Sequence, residues 1–175
     1  MKWVALLRAV NLGARNKVPM AQLREQLEAA GYKGVRTYIA SGNVLLDGPT
    51  SRAELAGELE HLIAKAFGID TTAILRTPKE LAAVVAGHPF GADTSQSHVV
   101  FLAAKPRLDA AERLAHLDSS PDRAVLAGAD VYLHYPAGYS GSRLSAAQLE
   151  RVVAVRGTHR NWRTVARLAE LAAEA

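Results

Sequence analysis

"VRTYIASGNVLLDG", residues 35–48, constrains what this chain can fold into more than any other stretch. Two β-rich runs meet there at Ser41-Gly42-Asn43, where glycine supplies the positive φ that a tight turn needs. Helical periodicity flanks the hairpin on both sides. Upstream, an apolar strand over residues 4–10 leads to Pro19, a residue suited to a first helical position. Met20, Leu23, Leu27 and Ala30 then recur at helical spacing before Gly31 stops the run. Downstream, Leu55, Leu59, Leu62, Ile63 and Ala66 mark a second helix ending near Gly68, and "TTAILRT" reads as a strand. A hairpin between two helices, with a strand at each outer end, is β-α-β-β-α-β, the ferredoxin-like split βαβ arrangement.

The same order then begins again. A linking helix over residues 78–86 leads into "GHPFGADTSQS", a loop rich in turn residues. "HVVFLA" reads as a strand, residues 108–117 as a helix, "AVLAGADVYLHY" as two strands turning at Gly128, and residues 145–153 as another helix. Thr158 is read as the cap of a last helix to about Ala173, with Trp162, Val165, Leu168 and Ala172 inward and Arg160, Arg163 and Arg167 on the other side. The expectation is an α+β chain of two ferredoxin-like (βαββαβ-type) subdomains with antiparallel sheets and a C-terminal helix. Residues 1–77 form the first subdomain, 78–97 a linker helix and loop, 98–155 the second subdomain, and 156–175 a helix packing back on the body.

Composition removes several function classes. The chain is 49% apolar and 22% charged, and no apolar run approaches the ~18 residues needed to span a bilayer. Trp3 to Leu7 is too short for a secretory signal, so a cytoplasmic protein with no membrane role is expected. With no cysteine there are no disulfides, thiolate metal sites or thiol nucleophiles. The six histidines show no HxxxH or HxH pair, and neither metal nor cofactor is expected. "GYSGS" fails as a nucleophile elbow because its last position is Ser142 instead of glycine. No general acid, base and nucleophile stand together, so the sequence assigns no catalytic residue and leaves open whether the protein is an enzyme.

Charge is distributed unevenly. Residues 1–24 carry Lys2, Arg8, Arg15, Lys17 and Arg24 and no acid. Residues 151–167 carry Arg151, Arg156, Arg160, Arg163 and Arg167, again with no acid. Since the net charge is +4, the rest of the chain is acidic by 6, and the asymmetry points to an anionic partner. In a split βαβ unit the first two strands run the same way, so the loop after the first strand (residues 11–18) and the Ser41-Gly42-Asn43 turn emerge side by side. The first helix begins there too, with free backbone N–H groups. Arg8, Asn11, Arg15, Lys17, Ser41 and Asn43 are thus candidates for an anion site. The plainer alternative is that Asn11, Asn16, Ser41 and Asn43 only close turns, Thr158 only caps, and Trp162 only fills core.

"LLRAVNLGARNKVPMAQLREQLEAAGYKGVRTYIASGNVLL" and the terminal "GTHRNWRTV" resemble the bacterial domain-of-unknown-function family 1697, which carries LLRGxNxGGxNxxxM-like, TYxxSGN and TxRNWxT motifs. "GYSGSRL" resembles its Ser-Lys-Leu segment, with Arg143 where lysine is usual, and the chain departs at Ala9 and Ala14, where glycine is common. The resemblance implies two ferredoxin-like subdomains and no established activity. It makes Arg8, Asn11, Lys17, Arg36, Thr37, Ser41, Gly42, Asn43, Arg160, Asn161 and Trp162 signature positions. The functional expectation is a basic, polar site for a phosphate-bearing or carboxylate ligand, nucleic acid among the candidates. Its ligand residues are Arg8, Asn11, Arg15, Lys17, Arg36, Ser41, Asn43, Arg160, Asn161 and Trp162. One alternative is an enzyme or sensor for a small anionic metabolite held between the subdomains; another is a structural role alone for the basic residues. Against RNA recognition by the sheet, "VRTYIASG" offers only Tyr38 as a stacking platform.

Overall fold

The computed structural model describes residues 1–174. Its elements run β1 (Lys2–Leu7), α1 (Met20–Ala29), β2 (Lys33–Tyr38), β3 (Asn43–Asp47), α2 (Arg52–Phe67), β4 (Ala73–Arg76) and α3 (Pro78–Ala86). They continue with β5 (Ser97–Leu102), α4 (Ala110–Ala115), β6 (Arg123–Ala127), β7 (Asp130–His134), a 3-10 turn (Tyr139–Gly141), α5 (Ala146–Val153), β8 (Gly157–Asn161) and α6 (Trp162–Ala173). The chain divides into two compact units. Met1–Ala82 together with the end of α6 from Leu168 forms the first, and Ala83–Arg167 the second.

Each unit is built on one antiparallel four-stranded sheet, ordered β2-β3-β1-β4 in the first and β6-β7-β5-β8 in the second. In both, the third strand lies between the first and second, which is the split βαβ topology expected of a ferredoxin-like fold. In the first unit alternate residues of the central strands, Trp3, Ala5 and Leu7 on β1 and Val44 and Leu46 on β3, pack with Leu23 and Leu27 of α1 and Leu55, Leu59 and Ile63 of α2. In the second, Val100, Leu102, Val131 and Leu133 do the same with Leu114 of α4 and Leu149 and Val153 of α5. The intervening residues are buried as well (Val4, Leu6, Leu45 and Ile74; Val99, Phe101 and Tyr132), so neither sheet reads as a clean apolar–polar alternation.

Local chemistry sets the ends of the elements. Ser51 caps α2 by accepting from the Glu54 N–H, and Gly68 closes it in the left-handed conformation. Ser145 and Gln148 form a reciprocal capping box on α5. Two readings of the sequence need correction. The first strand stops at Leu7 instead of reaching residue 10, because Ala9 stands at φ +57°, which an extended strand cannot accommodate. Thr158 does not cap the last helix. It lies in β8, paired with Phe101 of β5, and the helix starts at Trp162. The fourth strand of the second sheet was therefore hidden in "GTHRN", where tertiary pairing overrides the capping preference of threonine.

Candidate functional site

At the end of the first sheet, the segment after β1 folds into a tight loop held by its own side chains. Asn11 is the staple. Its Nδ2 donates to the Val18 carbonyl (2.8 Å) and the Ala40 carbonyl (2.7 Å), and its Oδ1 accepts from the Val18 N–H (2.8 Å). The Asn11 N–H donates to the Asn16 carbonyl (2.9 Å), and Asn16 Nδ2 reaches back to the Ala9 carbonyl (2.9 Å). Because Ala40 belongs to the β2–β3 turn, the loop and the hairpin stand side by side, as the strand directions required.

The hairpin turn is built equally tightly. Asn43 is fully buried, and its Nδ2 donates to the Tyr38 carbonyl (3.0 Å) and to Ser41 Oγ (2.9 Å). Gly42 sits at φ +83° with its carbonyl accepting from the Leu7 N–H (2.8 Å). A Cβ at that position would meet Val10 Cγ2 at 2.4 Å and Leu7 Cβ at 3.0 Å, so the turn can approach β1 only with glycine in place. The amide groups of Asn11 and Asn43 are therefore bonded within the protein and hold the loop and the turn.

The cations differ from one another. Arg8 is half-buried just past β1; its N–H donates to the Thr72 carbonyl (3.0 Å), and its own carbonyl accepts from Thr71 Oγ1 (2.7 Å). Arg36 donates from Nη2 to the Leu171 carbonyl (2.7 Å), tying β2 to the end of α6 inside the first unit. Arg15 and Lys17 are exposed on the loop, and neither side chain bonds to another described residue. The first helix begins directly after them at Met20, with Pro19 in the cap position and no side chain capping it. No acid occurs in the first 24 residues.

Backbone strain concentrates at the same edge. Among the described residues five non-glycine residues have positive φ, and four are here: Ala9 (+57°), Asn11 (+54°), Asn16 (+50°) and Ile39 (+49°). Asparagine tolerates this region, but a β-branched residue there costs roughly 1–2 kcal/mol relative to glycine. Ala9 occupies a position where the resembling family commonly has glycine, and its conformation is the one glycine favours. Sequence reading missed Ile39 altogether, since nothing in "YIASG" distinguishes a strained isoleucine from a strand residue.

Arg160, Asn161 and Trp162 belong to the second unit. Arg160 is on β8, buried, with Nη1 donating to Thr158 Oγ1 (2.8 Å) and to the His159 carbonyl (2.9 Å). Burial lowers its pKa to about 10. It is therefore not on the outer face of the last helix, where periodicity put it. Asn161 Oδ1 accepts from the Thr164 N–H (2.9 Å), making Asn161 the side-chain cap of α6. Trp162 lies against the His88 ring, centroids 4.3 Å apart. The "GYSGSRL" segment is anchored by Asp122, a buried carboxylate that accepts from Ser142 Oγ (3.1 Å) and the Arg143 N–H (2.6 Å).

Beside that segment the second unit holds a cluster of rings that the sequence did not reveal. His98 of β5 and His159 of β8 stack with centroids 4.7 Å apart and planes 4° from parallel, and Tyr135 and Tyr139 pack around them. His98 Nδ1 and His159 Nε2 are buried without a hydrogen-bond partner. Burial lowers the pKa of both rings. For His159, with His98 and Arg160 adding repulsion, it falls to about 4. Among the described residues no group of three or more His, Asp or Glu side chains is placed to hold a metal ion, and no helix is long and apolar enough to cross a membrane.

Residues 1–132 match the model of a family described as "Protein of unknown function (DUF1697)". A solved structure titled as that of the conserved bacterial protein SP0830 from Streptococcus pneumoniae is similar in fold, with a TM-score of 0.74 at 22% identity over 98% of each chain. No curated protein matches.

Proposed function

The chain belongs to the DUF1697 family, and from its own geometry we propose that it binds a phosphate-bearing ligand, nucleic acid first among the classes to test, at the end of the first sheet. One observation carries this reading. Arg15 and Lys17 stand exposed, with no side-chain partner among the described residues, on a loop whose backbone is fixed by the hydrogen bonds of Asn11 to Val18, Ala40 and Asn16. The fixed backbone lowers the ordering cost of presenting two cations. The acid-free surroundings and the uncapped start of α1 add favourable potential for an anion.

The test is fluorescence-polarisation binding to short labelled single- and double-stranded nucleic acids at 50 and 200 mM salt, comparing the native chain with Arg15→Ala/Lys17→Ala. Both residues are exposed, so the variant keeps its fold. The expected result is salt-steep binding whose log–log slope falls by about two in the variant. Equal affinity and slope in both proteins would refute the role of the loop, and no binding by the native chain would refute the reading as a whole.

A second reading is favoured by the bonds of Asn11, Asn43, Arg36 and Asn161, which all end inside the protein. In that reading these signature positions specify the fold, and only the exposed cations face a ligand.

A further inference from the structure

We infer that Ile39 and Leu12 form the apolar half of the site proposed above, and that its ligand is single-stranded nucleic acid whose bases lie on them. The inference rests on that reading and deepens it. Ile39 is the one β-branched residue among the positive-φ positions of the described residues, and it is 49% exposed. A residue that fits its backbone badly and sits half in water adds little to the core. Glycine or asparagine would suit φ +49° better. Strain of this kind points to function when it lies at a site, and here it lies beside three other left-handed residues.

Leu12 is 67% exposed on the loop that carries Arg15 and Lys17. The bond from Asn11 Nδ2 to the Ala40 carbonyl ties the residue beside Leu12 to the residue beside Ile39. Two exposed aliphatic residues are thus mounted on segments that are hydrogen-bonded to each other, and Leu12 shares its loop with Arg15 and Lys17, two cations without a side-chain partner among the described residues. A ligand that satisfies this edge needs negative charge at short intervals and apolar faces between the charges. Single strands have both. A duplex keeps its base faces stacked inside, and inorganic phosphate has no apolar part.

The experiment compares a labelled 12-nucleotide single strand, the corresponding duplex and anionic phospholipid vesicles. The proteins are the full native chain, Ile39→Gly, Ile39→Asn and Arg15→Ala/Lys17→Ala, each with a thermal melt. The native chain is expected to prefer the single strand to the duplex by about 10-fold or more. Ile39→Gly and Ile39→Asn are expected to melt no lower than the native protein yet bind the single strand about 5- to 10-fold more weakly, with the salt slope unchanged because no phosphate contact is lost. The double cation variant is expected to lose slope as well. Native binding to the single strand that both Ile39 variants retain in full would overturn this inference and leave the anion site standing. Preference for duplex or for vesicles would overturn it too, and absence of binding to all three probes would overturn both readings.

Discussion

The stacked pair His98–His159 should make the protein acid-labile in a defined window. The ordinary histidine pKa is near 6.5, and His159 in the fold is held down at about 4, by burial first and then by His98 and Arg160. The fold therefore keeps this ring neutral, whereas the unfolded chain protonates it. Between those two values the unfolded state binds more protons. Stability is thus fully present above pH 6.5, declines as the pH falls towards 4, and changes no further from this source below that. Carrying the two pKa values through the linkage relation gives a loss of about 2 kcal/mol at pH 5 and about 3 kcal/mol at pH 4 from His159 alone. His98, also lowered by burial, adds to the loss in the same direction, as does His88.

Carboxylates act in a lower window. Burial alone would raise the Glu80 carboxyl, but the Thr77 N–H and Arg52 outweigh it and hold the group below its usual range. Its contribution is present at pH 5 and goes only under stronger acid. The comparison of pH 7.5 with pH 5 thus isolates the histidines. Urea unfolding of the full chain at those two values, followed by far-UV circular dichroism, is expected to show the native protein losing roughly 2 kcal/mol or more. His159→Phe, which keeps a ring in the stack, should lose about 1–2 kcal/mol less over the same interval. Nuclear magnetic resonance titration of the His159 ring checks the premise directly. A midpoint near 6.5, or a variant as acid-labile as the native chain, would refute the reasoning.

Two further substitutions test the scaffold. Gly42→Ala places a methyl at 2.4 Å from Val10 Cγ2 on a backbone at φ +83°, and should cost about 2–4 kcal/mol in chemical denaturation. Asn161→Ala removes the bond to the Thr164 N–H at the start of α6. It should cost about 1 kcal/mol, with Asn161→Asp recovering most of it in the same assay.

The order of elements could be read from the sequence because the two periods separate cleanly. Leu23 and Leu27, or Leu55, Leu59 and Ile63, recur at the helical interval, while Ser41-Gly42-Asn43 breaks two β-rich runs at a position where only glycine fits. Strand direction then placed the loop beside the hairpin, and the Asn11–Ala40 bond is where that deduction meets the structure. What could not be read depends on pairing partners distant in sequence. "GTHRN" has the local chemistry of a helix entry and becomes a strand because β5 leaves an edge for it. The same pairing turns Arg160 inward, so a residue counted in a basic stretch is in fact buried. His98 and His159 lie 61 positions apart and meet only because β5 and β8 are neighbours, so no local spacing of histidines marks the pair. At the candidate site the division runs the other way. The amides that looked most like ligand contacts, Asn11 and Asn43, are bonded within the protein, while Ile39, unremarkable in the sequence, carries strain. Residue type reveals what a side chain can bond to. Only the folded backbone reveals which side chains still have bonds to offer, and among the described residues of this edge Arg15 and Lys17 do.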